Sequence, residues 1–291
     1  MQFIDLKRQL EHLRPAIEAR ISGVLEHGQF ILGPEVQELE QALADYCGVR
    51  HAIGVANGTD ALQLALMAAD IGPGDAVFTS AFSFFASAEV ISLVGATPVF
   101  VDIDAQSYNI CPNALESAVE AVDSEGKLTP RAIIAVDLFG LPADYPRIKP
   151  IAEKHGLTLI EDAAQSFGGA LYDQKSCSFG QMAATSFFPA KPLGCFGDGG
   201  AVFTDDDGLA DKIRSLRVHG KGKDKYDNVR IGLNSRLDTL QAAILLVKLA
   251  ELPNELRARQ RWADEYSGRL KSEFITPSVP PGATSAWAQY T

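Results

Sequence analysis

ATSFFPAKPLGCFGDGGAVFT, residues 184–204, contains a β-rich run, a lysine set between two prolines, a glycine-rich turn and a second β-rich run. Pro189 and Pro192 restrict the backbone on both sides of Lys191, whose neighbours are apolar where a solvated lysine would have flexible polar ones. The amine is therefore held in place, and its burial is expected. The GDGG run at 197–200 suits a tight turn with close backbone approach.

Working outward, AIGV (52–55), AVFT (76–79), TPVFV (97–101), AIIAV (132–136), LTLI (157–160), ATSFF (184–188) and AVFT (201–204) read as strands. Helical patterns at 59–69, 86–94, 112–121, 144–154 and 207–218 alternate with them. This order predicts an α/β fold, a mostly parallel seven-stranded sheet covered by helices on both faces. Ligands of such sheets bind beyond the carboxyl ends of the strands, so the residues after each run are the ones to read for chemistry.

The chain has 291 residues, 46% hydrophobic and 22% charged, which is ample for a large core in one or two domains. A net charge of -11 argues against a nucleic-acid or membrane-surface binder and leaves room only for a small anionic ligand in a local pocket. Cys47, Cys111, Cys177 and Cys195 form no C-x-x-C pair and fit reduced thiols, hence a cytoplasmic protein. The start, MQFIDLKRQL, has no apolar leader core, and no apolar run is long enough to span a bilayer.

After the run at 52–55 comes ANGTDALQLAL, with Gly58, Thr59 and Asp60 at the start of a helix. Exposed amides and the helix dipole there favour a phosphate, while Asn57 or Thr59 equally reads as an ordinary N-cap. After the run at 157–160 comes EDAAQSFGG, where strand alternation lets only one of Glu161 and Asp162 face the crevice. A carboxylate at that place suits a pyridinium nitrogen, a ribose hydroxyl or a metal, or a plain structural cap. In IGLNSRLDTLQAAILLVKL (231–249), Leu237, Leu240, Ala243 and Ile244 have the spacing of a buried helix face. Asn234 and Arg236 at its mouth exceed what a cap requires, since Ser235 alone would serve. A lysine, an aspartate, a helix-start Gly-Thr and hydroxyls at strand ends together match the needs of pyridoxal 5'-phosphate.

The ordered motifs NGTDAL, GPGD, VFVDID, IEDAAQSFG, SFFPAKPLG-x-x-GDGG and G-x-NSRLDTLQAA resemble the DegT/DnrJ-type sugar-nucleotide aminotransferases, fold-type I pyridoxal phosphate enzymes. The likeness runs from FIDLKRQ (3–9) almost to the end. It implies that Lys191 is the Schiff-base (internal aldimine) lysine and proton shuttle, and that Asp162 pairs with the pyridine nitrogen. It further implies Gln165 near the phenolic oxygen, Gly58, Thr59, Ser186 and the Asp60 backbone around the phosphate, and Phe84 stacked on the ring. Asn234 is expected to reach that phosphate from a second subunit, so a homodimer with shared active sites is implied. A related sugar dehydratase branch carries histidine in place of the lysine, and here Lys191 is intact.

Within the family, the segments around Lys191 and Asn234 are similar to enzymes that aminate the 3-keto position of a UDP-2-acetamido-2-deoxyhexuronate in O-antigen synthesis, with glutamate as donor. Arg236 and His219 are the expected contacts for the anionic nucleotide sugar; Lys221, Lys223 and Lys225 of the same loop read equally as a solvated charge run. GQFILGP (28–34) is expected to be a substrate-side loop. A large cofactor domain over 1–250 and the start of a smaller one over 251–291 are expected. The stop at WAQYT, where family members continue, resembles a truncation and leaves a regulatory or subunit-binding paralogue as the alternative. No metal is expected: His12, His27, His51 and His155 share no ligand spacing, and Asp102 and Asp104 suit strand-end hydrogen bonding. Cys195 reads as a packing residue.

Overall fold

The computed structural model describes residues 5–224 and 226–291. Two helices, α1 (Leu6–His27) and α2 (Pro34–Cys47), lead into β1 (His51–Val55), α3 (Gly58–Ala68), β2 (Asp75–Ser80), α4 (Ala86–Leu93) and β3 (Thr97–Val101). There follow α5 (Pro112–Glu125), β4 (Thr129–Val136), α6 (Tyr145–His155), β5 (Thr158–Asp162), and the short strands β6 (Ala170–Leu171) and β7 (Gln174–Lys175). The chain continues through β8 (Met182–Ser186), β9 (Gly200–Thr204), α7 (Asp207–Leu216), α8 (Thr239–Leu270) and β10 (Ala283–Thr284). Each of the seven runs read as strands holds a strand, with Leu157, Phe187 and Phe188 falling outside, and the seven form one sheet in the order β1-β9-β8-β5-β4-β2-β3.

Strand β9 is antiparallel to both neighbours, while β3, β2, β4, β5 and β8 are mutually parallel. The cause lies in the connection. A parallel return needs a crossover of a dozen or more residues, usually a helix, whereas the segment from β8 to β9 carries Lys191 and forms no helix.

Alternation along the strands feeds two apolar layers. On one face Ile53, Val55, Val77, Ile134, Ile160 and Val202 pack beneath α3, α4 and α7. On the other, Ala52, Ala183 and Phe203 meet α2 and α8, and Phe78, Ile133 and Leu159 meet α5 and α6. A sheet buried on both sides explains why its strands read as continuous apolar runs. Its stiffness is what fixes the strand ends.

Helix α8 is 32 residues long and runs unbroken through positions 250 and 251, where the sequence suggested a division. Leu13 and Ile17 of α1 pack on its Ile244. Beyond α8 the chain returns to the sheet end: β10 pairs with β6, and the Ala286 amide donates to the Gly140 carbonyl at 2.8 Å. Gly140 has φ 108°, and a Cβ there would come within 2.7 Å of the Trp287 nitrogen, so this docking requires glycine.

Candidate active site

Because β1, β2, β4, β5 and β8 point the same way, their carboxyl ends meet at one edge. A cavity of about 660 Å³ opens there, lined among others by Gly58, Thr59, Asp60, Phe84, Asp162, Gln165, Ser186 and Lys191. Eight residues named from the sequence thus converge on one space.

Helix α3 begins immediately after β1. Asn57 is its N-cap, accepting the Asp60 amide on Oδ1 at 2.8 Å. The Asp60 amide, expected to face a phosphate, is therefore already engaged. The amides of Gly58 and Thr59, in the first turn, have no intrahelical acceptor and point with the positive end of the dipole towards the cavity side. Gly58 has a steric role as well. A Cβ on it would stand 2.7 Å from the Cβ of Ser186, so glycine lets the end of β8 approach the helix start.

At the end of β5, successive side chains part as alternation requires. Glu161 turns into the protein and accepts the Cys177 and Phe179 amides at 2.6 and 2.8 Å. Asp162 faces the cavity, its Oδ2 accepting from Ser87 Oγ at 2.8 Å and its Oδ1 from the Ala164 amide at 3.2 Å. Burial pushes its carboxyl above the usual range, a shift opposed by the Ser87 hydroxyl, the Ala164 amide and the charge of Lys191.

Lys191 is half-buried, its amide tied to the Phe188 carbonyl at 2.9 Å. Desolvation lowers the pKa of its amine, and the Asp162 carboxylate opposes that shift. The pair thus faces one space with an amine biased towards its neutral form. Phe84 is 70% exposed, an unusual state for a phenylalanine beside a cavity, and offers a ring face. Gln165 Oε1 accepts the Phe139 amide at 2.9 Å. An amine, a carboxylate opposite, a helix start with a hydroxyl at its mouth and an open aromatic face fit pyridoxal 5'-phosphate.

Three expected site residues do not line this cavity. Asn234 is exposed and accepts from Arg236 Nη2 at 2.6 Å, and His219, at φ 57°, is exposed on the strand-like pairing of Val218 with Asn234. Lys221 and Lys223 are exposed, while Lys225, and Phe3 and Ile4 of the N-terminal motif, lie outside the described residues. The 28–34 loop lies on the start of α8: the Thr239 amide donates to the Phe30 carbonyl at 2.9 Å, and the Gly33 amide to Thr239 Oγ1 at 3.0 Å.

Reading the sequence passed over Ser83, Ser87 and Asp198. Ser83 and Asp198 line the cavity and Ser87 bonds Asp162. Ser83 precedes α4 and Ser87 lies in its first turn, so no single periodicity links them in the sequence. Elsewhere, Glu116, Glu120 and His155 bring potential ligand atoms within 4.8 Å of one another, but Lys154 Nζ sits 2.7 and 3.2 Å from the two glutamates and already supplies the cation. Asp102 and Asp104 bond local amides at the end of β3, and Cys195 is buried with its Sγ 3.0 and 3.1 Å from the Phe187 and Gly197 carbonyls, to one of which its single proton is donated.

The chain matches known proteins over its whole length. It is 51% identical to the UDP-2-acetamido-2-deoxy-3-oxo-D-glucuronate aminotransferase of Pseudomonas aeruginosa, covering 100% of this chain and 79% of that protein. The crystal structure of a DegT DnrJ EryC1 StrS aminotransferase from Brucella abortus superposes with TM-score 0.98 at 57% identity, covering 100% of this chain and 78% of that one. The structure of ntda from Bacillus subtilis with bound cofactor pmp superposes with TM-score 0.90 at 30% identity, covering 100% of this chain and 66% of that one. Since the family model also matches residues 11–291, the chain belongs to the DegT/DnrJ/EryC1/StrS aminotransferase family.

Proposed function

We propose that this protein transfers an amino group from an amino acid, glutamate, to a keto sugar nucleotide, a UDP-linked 3-keto-hexuronate on the way to O-antigen polysaccharide. The observation that carries the reading is the placement of Lys191 and Asp162 around one cavity closed by the start of α3. The naming of a 51%-identical relative supports the substrate class.

When bound, pyridoxal 5'-phosphate supplies an aldehyde and an electron-withdrawing ring through which an amino group passes between two carbon skeletons. Lys191, its pKa lowered by desolvation, would hold the aldehyde end and would take up and return the proton at the reacting carbon. Asp162, with two donors on its oxygens, is the carboxylate that would hold the pyridine nitrogen and a proton on it. The Gly58 and Thr59 amides with the Ser186 hydroxyl would hold the phosphate, Phe84 would offer its face to the ring and Gln165 would serve its oxygen, all of them lining this cavity.

Asn234 is offered to this site by a second copy, with Arg236 and His219 beside it for the nucleotide's negative charge. Their place outside the protomer's own cavity supports that arrangement, as do the exposed Phe84, Phe85, Phe188 and Ile231. The four free cysteines suit a cytoplasmic site of action.

The test is stepwise. Protein mixed with pyridoxal 5'-phosphate and reduced with borohydride should gain the cofactor's mass on the peptide carrying Lys191. A separate, unreduced sample of the loaded protein should lose its aldehyde-form absorbance on addition of glutamate and regain it with the 3-keto UDP-hexuronate. Cofactor capture without any response to amino acids would favour the regulatory paralogue.

A further inference from the structure

The hydroxyl of Ser87 is the shortest contact to the Asp162 carboxylate, at 2.8 Å, and Ser87 is only 1% exposed. Ser83, which lines the cavity, lies with its Oγ 3.3 Å from that of Ser87. Since Ser87 gives its proton to the carboxylate, it can only accept from Ser83. The hydroxyls therefore run in one direction, from the cavity wall to Asp162.

Both serines frame the start of α4, and between them stands Phe84, whose carbonyl accepts the Ser87 amide at 3.3 Å. The entry into α4 thus carries the exposed ring just ahead of the helix and, in its first turn, the donor that orients the carboxylate. Two donors, Ser87 and the Ala164 amide, leave each carboxylate oxygen with room for a further partner on the cavity side.

We propose that Ser87, backed by Ser83, is a positioning residue that locks Asp162 towards the cavity and ties its orientation and proton affinity to the turn bearing Phe84. The inference rests on the cofactor reading of this cavity. Lys191 is the charged group facing Asp162. Asp137 of the β4 end donates its amide to the Asp162 carbonyl at 3.1 Å, while its side chain bonds Tyr145 and Ser166 instead.

The experiment compares wild type, Ser87→Ala and Ser83→Ala in two ways. The first is a pyridoxal 5'-phosphate titration. The second follows the Asp162 carboxyl carbon by NMR through a pH series in cofactor-free protein. Losing a hydrogen bond to a charged acceptor predicts affinity about ten-fold weaker in Ser87→Ala, with an upward shift of the Asp162 midpoint. Ser83→Ala should move both in the same direction by less, about two- to three-fold in affinity, and serves as the second variant should Ser87→Ala fold poorly. A merely structural serine would lower thermal stability and leave the Asp162 midpoint in place, which overturns the proposal. Failure of wild type to bind the cofactor would overturn the cofactor reading alone, because the carboxyl titration still decides the role of Ser87.

Discussion

Tyr145 donates its phenolic proton to Oδ1 of Asp137 at 2.8 Å, deep under the strand ends that carry the site. Ser166 Oγ and the Ala143 amide donate to the same carboxylate at 2.6 and 2.9 Å, so three segments are tied to one buried acid. Tyr145→Phe keeps the ring stacked on Phe179, with centroids 4.4 Å apart, and removes only the donor. Stability to urea should fall by about 1–3 kcal/mol, the cost of withdrawing one donor from a buried charged acceptor. An unchanged midpoint would show that the phenol contributes nothing there.

The same acid predicts a pH dependence. Burial pushes the Asp137 carboxyl up to about 7 against the pull of Ser166, Ala143, Tyr145 and Glu161. Burial also holds the adjoining Glu161 well above its ordinary range, with the Asp137 charge adding to it. The folded protein therefore binds the Asp137 proton more tightly than the unfolded chain does. Its stabilising contribution is complete below about pH 4 and is lost as pH rises through about 7. Urea stability of wild type should decline between pH 5 and pH 8 relative to Asp137→Asn. Parallel curves for the two proteins would show that Asp137 does not titrate in this window.

Gly58 separates steric from electrostatic roles at the start of α3. Gly58→Ala places a Cβ 2.7 Å from that of Ser186, forcing the helix start away from the end of β8. Overpacking of this kind costs about 1–3 kcal/mol, which here falls on the bound phosphate as a roughly five- to hundred-fold loss of pyridoxal 5'-phosphate affinity. A titration showing native affinity would mean that the helix start is not the phosphate site.

Much of this was legible because a doubly covered sheet writes itself as apolar runs, and because the chemistry stands at strand ends. Gly58 and the Glu161–Asp162 pair were marked by their place after a run and Lys191 by the prolines around it, whereas Ser186 and the choice of Asp162 came from the family resemblance. Two things were not. Which partner the Asp60 amide takes depends on the Asn57 rotamer, a choice among capping arrangements that residue types do not decide. Ser87 belongs to a helix start, yet its function comes from a carboxylate 75 positions away, a long-range pairing that spacing alone does not reveal. The unbroken course of α8 through position 250 was hidden for another reason: Pro253 within the helix reads locally as a stop.

Arg217 offers a test of the scaffold beneath β1. Its guanidinium, almost fully buried, donates to Glu40 Oε1 at 2.5 Å and to the Gly54 carbonyl at 2.7 Å, and Glu40 in turn accepts the Gly54 amide at 2.8 Å. Arg217→Ala leaves the Glu40 carboxylate and a strand carbonyl without their partner, and should cost about 3–5 kcal/mol in thermal or urea unfolding. Removing both partners together, as Glu40→Met with Arg217→Met, should cost clearly less. A loss in the double variant equal to the sum of the losses of Arg217→Met and Glu40→Met measured singly would mean that the pair is not coupled.

Lys191 and Asp162 make the last prediction, one that isolates the electrostatics of the site from turnover. Desolvation draws the lysine's pKa down while the aspartate's charge holds it up, so the observed amine is a compromise between the two. Asp162→Asn removes the second influence and keeps the first. The neutral amine, which attacks the aldehyde, then becomes available at lower pH. In cofactor-free protein, the rate of borohydride-trapped pyridoxal 5'-phosphate capture should rise with pH in both proteins, with the midpoint of Asp162→Asn displaced to lower pH. Equilibrium affinity for pyridoxal 5'-phosphate, measured without borohydride, should nevertheless be weaker in Asp162→Asn, because the pyridine nitrogen would lose its partner. A midpoint that stays in place, or moves upward, would show that the carboxylate does not act on the amine and that the two groups do not face each other across the cavity.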